Sequence, residues 1–205
     1  MDKLKNTIFA MKMTDIRKYP ANYEALSTDA ALRAEHLACQ LRNIIFTTAV
    51  LPKPEYMDRA VKAQGIQFRT DGNLLIIRLP GLLPKRKTRA NIGYINDPLY
   101  CGIKSYLAEH PIPVFTDCVV CFIQVYDRKL PLRRIRDYDN MEFKQILDTI
   151  SPFVLKDDSG IYCDSYHTTN LGDEDYTLIN IMEKSLFPAW LRSRKDQVSD
   201  LSEIS

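Results

Sequence analysis

A chain of 205 residues that is 45% hydrophobic and 26% charged can bury one core with appendages, and this composition excludes a collagen-like or wholly disordered chain. No apolar run approaches the roughly 18 residues of a membrane helix, and Met1-Asp2-Lys3-Leu4-Lys5 leads into no signal-peptide pattern, so no membrane contact and a cytoplasmic location are expected. The net charge of +2 hides an asymmetry: residues 78–136 hold 11 Lys+Arg against 4 Asp+Glu, and residues 137–205 hold 6 against 14.

Residues 1–22 are mixed and end at a Tyr19-Pro20 break. Leu26, Leu37, Leu41, Ile44 and Ile45 predict a long helix over residues 23–48, with Ser27 or Thr28 as a candidate cap. Pro52 and Pro54 interrupt it, and residues 55–64 offer a second short helix closed by Gly65. Residues 1–70 therefore form an N-terminal helical extension, whose apolar stripe suits packing on a core or a partner. Asp71-Gly72 signals a turn and residues 73–79 a strand. A proline-bounded basic loop with Lys85, Arg86, Lys87 and Arg89 follows, then a helix over residues 98–109.

Residues 114–126 are the central strand. Cys118 and Cys121 fall inside this apolar run without a second matching pair, which favours a buried strand over a zinc site. The cysteines number five, an odd count, and read as reduced; the three histidines, His36, His110 and His167, form no metal-spacing motif. Beyond the charged stretch discussed next, residues 160–168 predict a strand, residues 170–175 a hairpin turn, and residues 176–183 another strand. The expected fold class is α+β, a mixed sheet of about four strands packed with helices over residues 71–190, followed by a polar, frayed tail at 191–205.

Residues 133–158 carry the densest chemistry. Arg133, Arg134 and Arg136 precede Asp137 and Asp139, and an acidic pair, Asp157-Asp158, follows about twenty residues on. Phe143, Ile146, Leu147 and Ile150 recur at i, i+3, i+4 and i+7, which predicts an amphipathic helix. Asp139 stands three residues before Glu142, a capping-box pattern that starts the helix at Asp139 or Asn140 and leaves Asp137 just outside. Lys144 then leans back towards the aspartates. Carboxylates close in space suit a hard cation such as magnesium, and acids set among phosphate-binding arginines call for a metal to neutralise them. Each residue also has a plain alternative: Asp139 as an N-cap, Lys144 paired with Asp148, Asp157-Asp158 as an ordinary turn.

The order Arg136-Asp137, Asp139-Asn140, Lys144, Asp148 and Asp157-Asp158-Ser159 resembles the RusA family of Holliday junction resolvases, over residues 74–183. In that family two residues separate the asparagine from the lysine; here Met141, Glu142 and Phe143 make three. The resemblance implies a magnesium-dependent (or manganese-dependent) endonuclease acting as a homodimer on branched or duplex DNA. Asp137, Asp139 and Asp158 would hold the metal, Asp157 would be an alternate ligand, and Lys144 would bind the scissile phosphate. Lys85, Arg86, Lys87, Arg89, Arg133, Arg134 and Arg136 would contact backbone phosphates. The alternative is a non-catalytic module that binds nucleic acid or protein.

Overall fold

The structure, a computed structural model, describes residues 1–48, 51–84, 86 and 93–202. The chain folds as two compact units, 1–56 and 57–205. In the first, helix α1 (Asp2–Met13) packs on helix α2 (Pro20–Thr48). Thr7 Oγ1 donates to Asp29 Oδ2 at 3.0 Å across this pair. Ser27 and Thr28, expected as caps, lie inside α2 and donate to the carbonyls of Tyr23 and Glu24 one turn back.

The second unit is α+β. Helix α3 (Lys53–Ala63), which begins before the division, is followed by strands β1 (Gln67–Asp71) and β2 (Leu74–Pro80), then helix α4 (Gly93–Glu109) and strand β3 (Cys118–Asp127). Helix α5 (Lys144–Val154), strands β4 (Cys163–Gly172) and β5 (Tyr176–Glu183), and helix α6 (Phe187–Ser202) complete it. The sheet order is β1-β2-β5-β3-β4, with β3 and β4 parallel and every other pairing antiparallel. There are five strands rather than four. The additional one, β1, pairs with β2 around Gly72, whose φ of 56° suits a residue without Cβ.

The 170–175 turn does not make a hairpin. It links β4 to β5 across β3, which lies between them and is paired on both sides. The composition of β3 explains this: from Cys118 to Tyr126 every residue is buried, so its apolar run needs sheet on both sides and cover on both faces. One face carries Leu75, Ile77, Val120, Phe122, Ile179 and Ile181 against α4 and α5, where Leu99, Ile103, Ile146, Ile150 and Val154 are inaccessible. Each such side chain stabilises the fold by about 1.5–3 kcal/mol relative to exposure. Gly102 lets α4 approach closely, since a Cβ there would lie 2.7 Å from Phe68 and 2.8 Å from Val61. The other face packs Val119, Cys121 and Met182 against Tyr166, Phe187 and Trp190. Among the described residues no helix is long and apolar enough to cross a membrane.

The tail beyond Trp190 continues as α6 to Ser202, which a polar composition does not forbid once Phe187 and Trp190 anchor its first turn.

Candidate functional site

The site begins in the core. Gln124, fully buried on β3, accepts from Leu83 N at 3.2 Å and from Thr177 Oγ1 at 3.1 Å. Thr177 Oγ1 also lies 3.0 Å from Gly81 O. Two polar side chains thus clasp the segment after β2 at the point where it turns towards the basic loop. Two further backbone bonds, Glu142 N to Pro84 O (3.0 Å) and Arg86 N to Asn140 O (2.9 Å), stitch that segment to residues 140–142. Arg86, exposed, is thereby fixed beside the acidic stretch. Lys85, Lys87 and Arg89 lie outside the described residues.

This stitching corrects the expected helix start. Residues 138–140 form a short 3₁₀ turn, Met141 is extended, Met141 and Glu142 are both buried, and α5 begins at Lys144. Glu142 does act at the helix entrance, its Oε1 accepting from Gln145 N at 3.4 Å. The helix also runs past Pro152 to Val154.

Lys144 meets two carboxylates, Asp148 Oδ1 at 2.5 Å and Asp158 Oδ2 at 2.7 Å. These bonds, Asp148 first, hold its ammonium above the usual lysine range. Asp157 Oδ1 accepts from Ser159 N at 2.7 Å, and its bonds to Ser159 lower its pKa. Asp137 and Asp139 are exposed on either side of Tyr138. Among the described residues no group of three or more His, Cys, Asp or Glu side chains stands close enough to hold a metal ion, so Asp137, Asp139 and Asp158 are not gathered into one ligand set. The physical reason lies in the partners: Asp158 is drawn to Lys144, and the 3₁₀ turn carries Asp137 and Asp139 on its exposed surface.

The arginines divide by role. Arg134 is ion-paired with Asp175. Arg136 is a strap, its N donating to Tyr126 Oη at 3.2 Å and its Nη1 to Leu83 O at 3.2 Å. Arg133 is exposed and makes no ion pair among the described residues.

Between the 138–147 segment and β4 lies an open cleft of about 410 Å³. Arg86, Asp139, Glu142, Lys144, Ser165 and His167 supply its polar lining, and Phe122, Tyr138 and Phe143 its aromatic wall. Tyr138 Oη sits 3.0 Å from Thr169 Oγ1, which holds the 3₁₀ turn against β4. The cleft is bipolar. Arg86 stands without an ion-pair partner among the described residues, whereas Lys144 carries two carboxylates with it. Ser165 and His167 were not singled out as a pair by sequence. The alternation of a strand over residues 160–168 places them on one face, and that periodicity was the available signal.

The fold and cleft define an α+β unit built on a mixed five-stranded sheet. The chain belongs to DUF6100, a family of unknown function, whose profile matches residues 1–205. No curated protein matches it. A solved structure similar to the chain is the periplasmic domain of Helicobacter pylori MotB (residues 90–256), at 13% identity and a TM-score of 0.38 over 67% of this chain and 91% of that one. The family match overturns the resemblance to the RusA resolvases: the model that spans the whole chain is that of DUF6100, which has no assigned function, and not that of the resolvases.

Proposed function

We propose that the protein binds nucleic acid, seating an unstacked nucleotide in the cleft between β4 and residues 138–147. The observation that supports this is that the Arg86–Asn140 and Pro84–Glu142 backbone bonds tie the Arg86 main chain beside an aromatic wall, so that its side chain lines the cleft. Strand-binding sites combine a cation that follows the phosphates with rings on which bases stack. Tyr138 and Phe143 supply the rings and Arg86 the charge, while the acidic end at Lys144, Asp148 and Asp158 directs phosphate towards Arg86. A volume of about 410 Å³ suits one nucleotide. Single strands, and branched DNA wherever its pairs open at the junction, fit this cleft better than regular duplex. A cytoplasmic setting is supported by five cysteines that are all free thiols.

The test is fluorescence anisotropy with a four-way junction, a single strand and a duplex at several salt concentrations. Junction and single strand should bind more tightly than duplex. Tyr138→Ala should weaken binding by about 1–3 kcal/mol, the value of a base–aromatic stack. Equal affinities for all three substrates, with Tyr138→Ala silent, would sink the proposal.

A second reading is hydrolysis of the bound strand with Mg²⁺ or Mn²⁺, which would have to draw Asp137, Asp139 and Asp158 together on binding, since among the described residues they do not form one ligand set on their own. It is favoured by one observation: Asp139 and Lys144 line the same cleft, and Lys144 already holds Asp158. Cleavage that needs added Mg²⁺ and disappears in both Asp139→Asn and Asp158→Asn would support it; no cleavage at any Mg²⁺ or Mn²⁺ concentration would exclude it.

A further inference from the structure

Ser165 and His167 occupy alternate positions on β4, so both side chains stand on one face of the strand. Ser165 Oγ lies 2.9 Å from His167 Nε2. The imidazole is held by rings on several sides: Phe122 stacks on it at 5.5 Å with an 8° tilt, Phe143 lies at 4.1 Å and Tyr138 at 5.7 Å. Aromatic packing therefore fixes the ring plane, a task that a carboxylate on Nδ1 performs in serine triads. Here Nδ1 is buried and has no hydrogen-bond partner among the described residues. Burial also keeps the imidazole neutral by lowering its pKa below the ordinary value. In the tautomer that carries its proton on Nδ1, Nε2 accepts from the Ser165 hydroxyl, which is the form a general base needs. Ser165 itself is exposed, and both residues line the cleft that contains Arg86 and Lys144.

We propose that Ser165 is a nucleophile, with His167 as its general base, for metal-independent cleavage of a phosphodiester in a strand bound in this cleft. The inference rests on the nucleic-acid reading above. The Ser165 Oγ–P bond forms as the P–O bond to the leaving nucleoside breaks. The serine proton passes to His167 Nε2, which keeps it, while the leaving oxygen, departing opposite the serine in an in-line displacement, takes a proton from a solvent water and leaves hydroxide, so protons and charge balance. The products are a strand esterified to Ser165 and a free hydroxyl end. Hydroxide then attacks phosphorus from the opposite side, and His167 Nε2 returns its proton to Ser165 Oγ as the Oγ–P bond breaks, releasing the strand and restoring the serine. Charge that grows on the phosphoryl oxygens needs a fixed cation. Arg86, which lines the same cleft on a backbone tied to Asn140, is the better candidate for that cation than Lys144, whose charge is already offset by Asp148 and Asp158.

The experiment uses the full chain and an end-labelled single-stranded oligonucleotide in excess EDTA. Anisotropy reports binding on the same samples that are resolved by denaturing gel and mass spectrometry. The expected result is an EDTA-resistant adduct on Ser165 or its shortened product. Ser165→Ala should abolish both, and His167→Gln should slow their appearance by about 100-fold, the usual contribution of a general base. Should His167→Gln not fold, the wild-type rate still decides, since it must fall in acid as the imidazole takes a proton. Binding without adduct or cleavage in EDTA overturns the nucleophile and leaves the binding reading standing. Cleavage that requires Mg²⁺ and survives Ser165→Ala also overturns it. Absence of binding overturns both readings together.

Discussion

Strands β3 and β4 are each ten residues long and run parallel in unbroken register from Cys118–Cys163 to Asp127–Gly172, yet they serve opposite purposes. β3 is paired on both sides and buried from Cys118 to Tyr126, whereas β4 is paired only with β3 and is exposed or half-buried beyond Cys163. Position in the sheet makes the difference. A central strand must satisfy two neighbours and two packed faces, so its sequence is apolar. An edge strand keeps one side open, and polar groups such as Ser165 and Thr169 can sit there in contact with water, while His167 lies deeper with its Nδ1 buried. The chemistry is on the edge; the stability that holds it is one strand away.

The largest expected effect sits on β3. Phe122 is 1% exposed and touches both the core and the His167 ring. Phe122→Ala should destabilise the fold by about 3–5 kcal/mol, the range for emptying a buried aromatic site. Urea denaturation followed by tryptophan fluorescence measures it, with Trp190 as the single reporter. A cost below about 1 kcal/mol would mean that β3 is not the central element.

Gln124 links the two purposes. Gln124→Ala leaves the Leu83 N–H without its acceptor and frees the Thr177 hydroxyl, at a cost of about 1–3 kcal/mol. The variant should also weaken nucleic-acid binding, because the segment that carries Arg86 loses its anchor. Lost stability with unchanged binding would separate the clasp from the cleft.

Much of this architecture was legible in the sequence, and the failures share a cause. The apolar runs of β2, β3 and β5 and the stripe of Ile146 and Ile150 on α5 follow from local periodicity. By contrast, β1 is a polar strand whose pairing with β2, rather than its composition, defines it. The start of α5 moved to Lys144 because Glu142 N bonds to Pro84 O, a partner distant in sequence. The 170–175 turn looks like a hairpin from its residues alone, but the sheet order depends on β3 claiming the centre. At the site, the pairing of Lys144 with Asp148 was visible as an i, i+4 spacing. Its bond to Asp158 spans a helix and a turn and was not. Strand alternation puts Ser165 and His167 on one face, but nothing in that spacing says that a cleft lies opposite them.

On β4 the titration of His167 gives a smaller and pH-dependent effect. Its folded pKa is lowered by burial, so above the unfolded imidazole value both states are neutral and this group adds no pH dependence. As pH falls below that value the unfolded chain takes the proton first and stability declines, levelling once the folded imidazole is protonated too. The slope contributed is at most about 1.4 kcal/mol per pH unit, one proton's worth. Denaturation midpoints between about pH 7.5 and 5, a window that brackets the ordinary imidazole value, should diverge in acid for wild type and His167→Phe, the variant being flatter. Parallel curves would show that burial does not lower the His167 pKa in the folded chain.

The smallest expected effect on stability belongs to the residue with the most ion-pair partners at the site. Lys144 touches Asp148 and Asp158, but its side chain is 64% exposed and theirs are 49% and 31% exposed. Solvent screens such pairs, and holding a long side chain in one geometry costs entropy, so Lys144→Ala should change stability by less than about 1 kcal/mol. Its effect on binding has a different sign in the two readings. If the cleft only binds, removing Lys144 exposes two carboxylates to the strand and lowers affinity modestly. If the aspartates hold Mg²⁺, the same change frees Asp158 from its ammonium, and Mg²⁺ should then bind more tightly while cleavage slows. Calorimetry with Mg²⁺ on Lys144→Ala, set beside anisotropy on the same variant, separates these outcomes. Binding weakened with no metal uptake leaves Lys144 as a charge that shields its neighbours; tighter metal uptake would move the chemistry from Ser165 to the carboxylates.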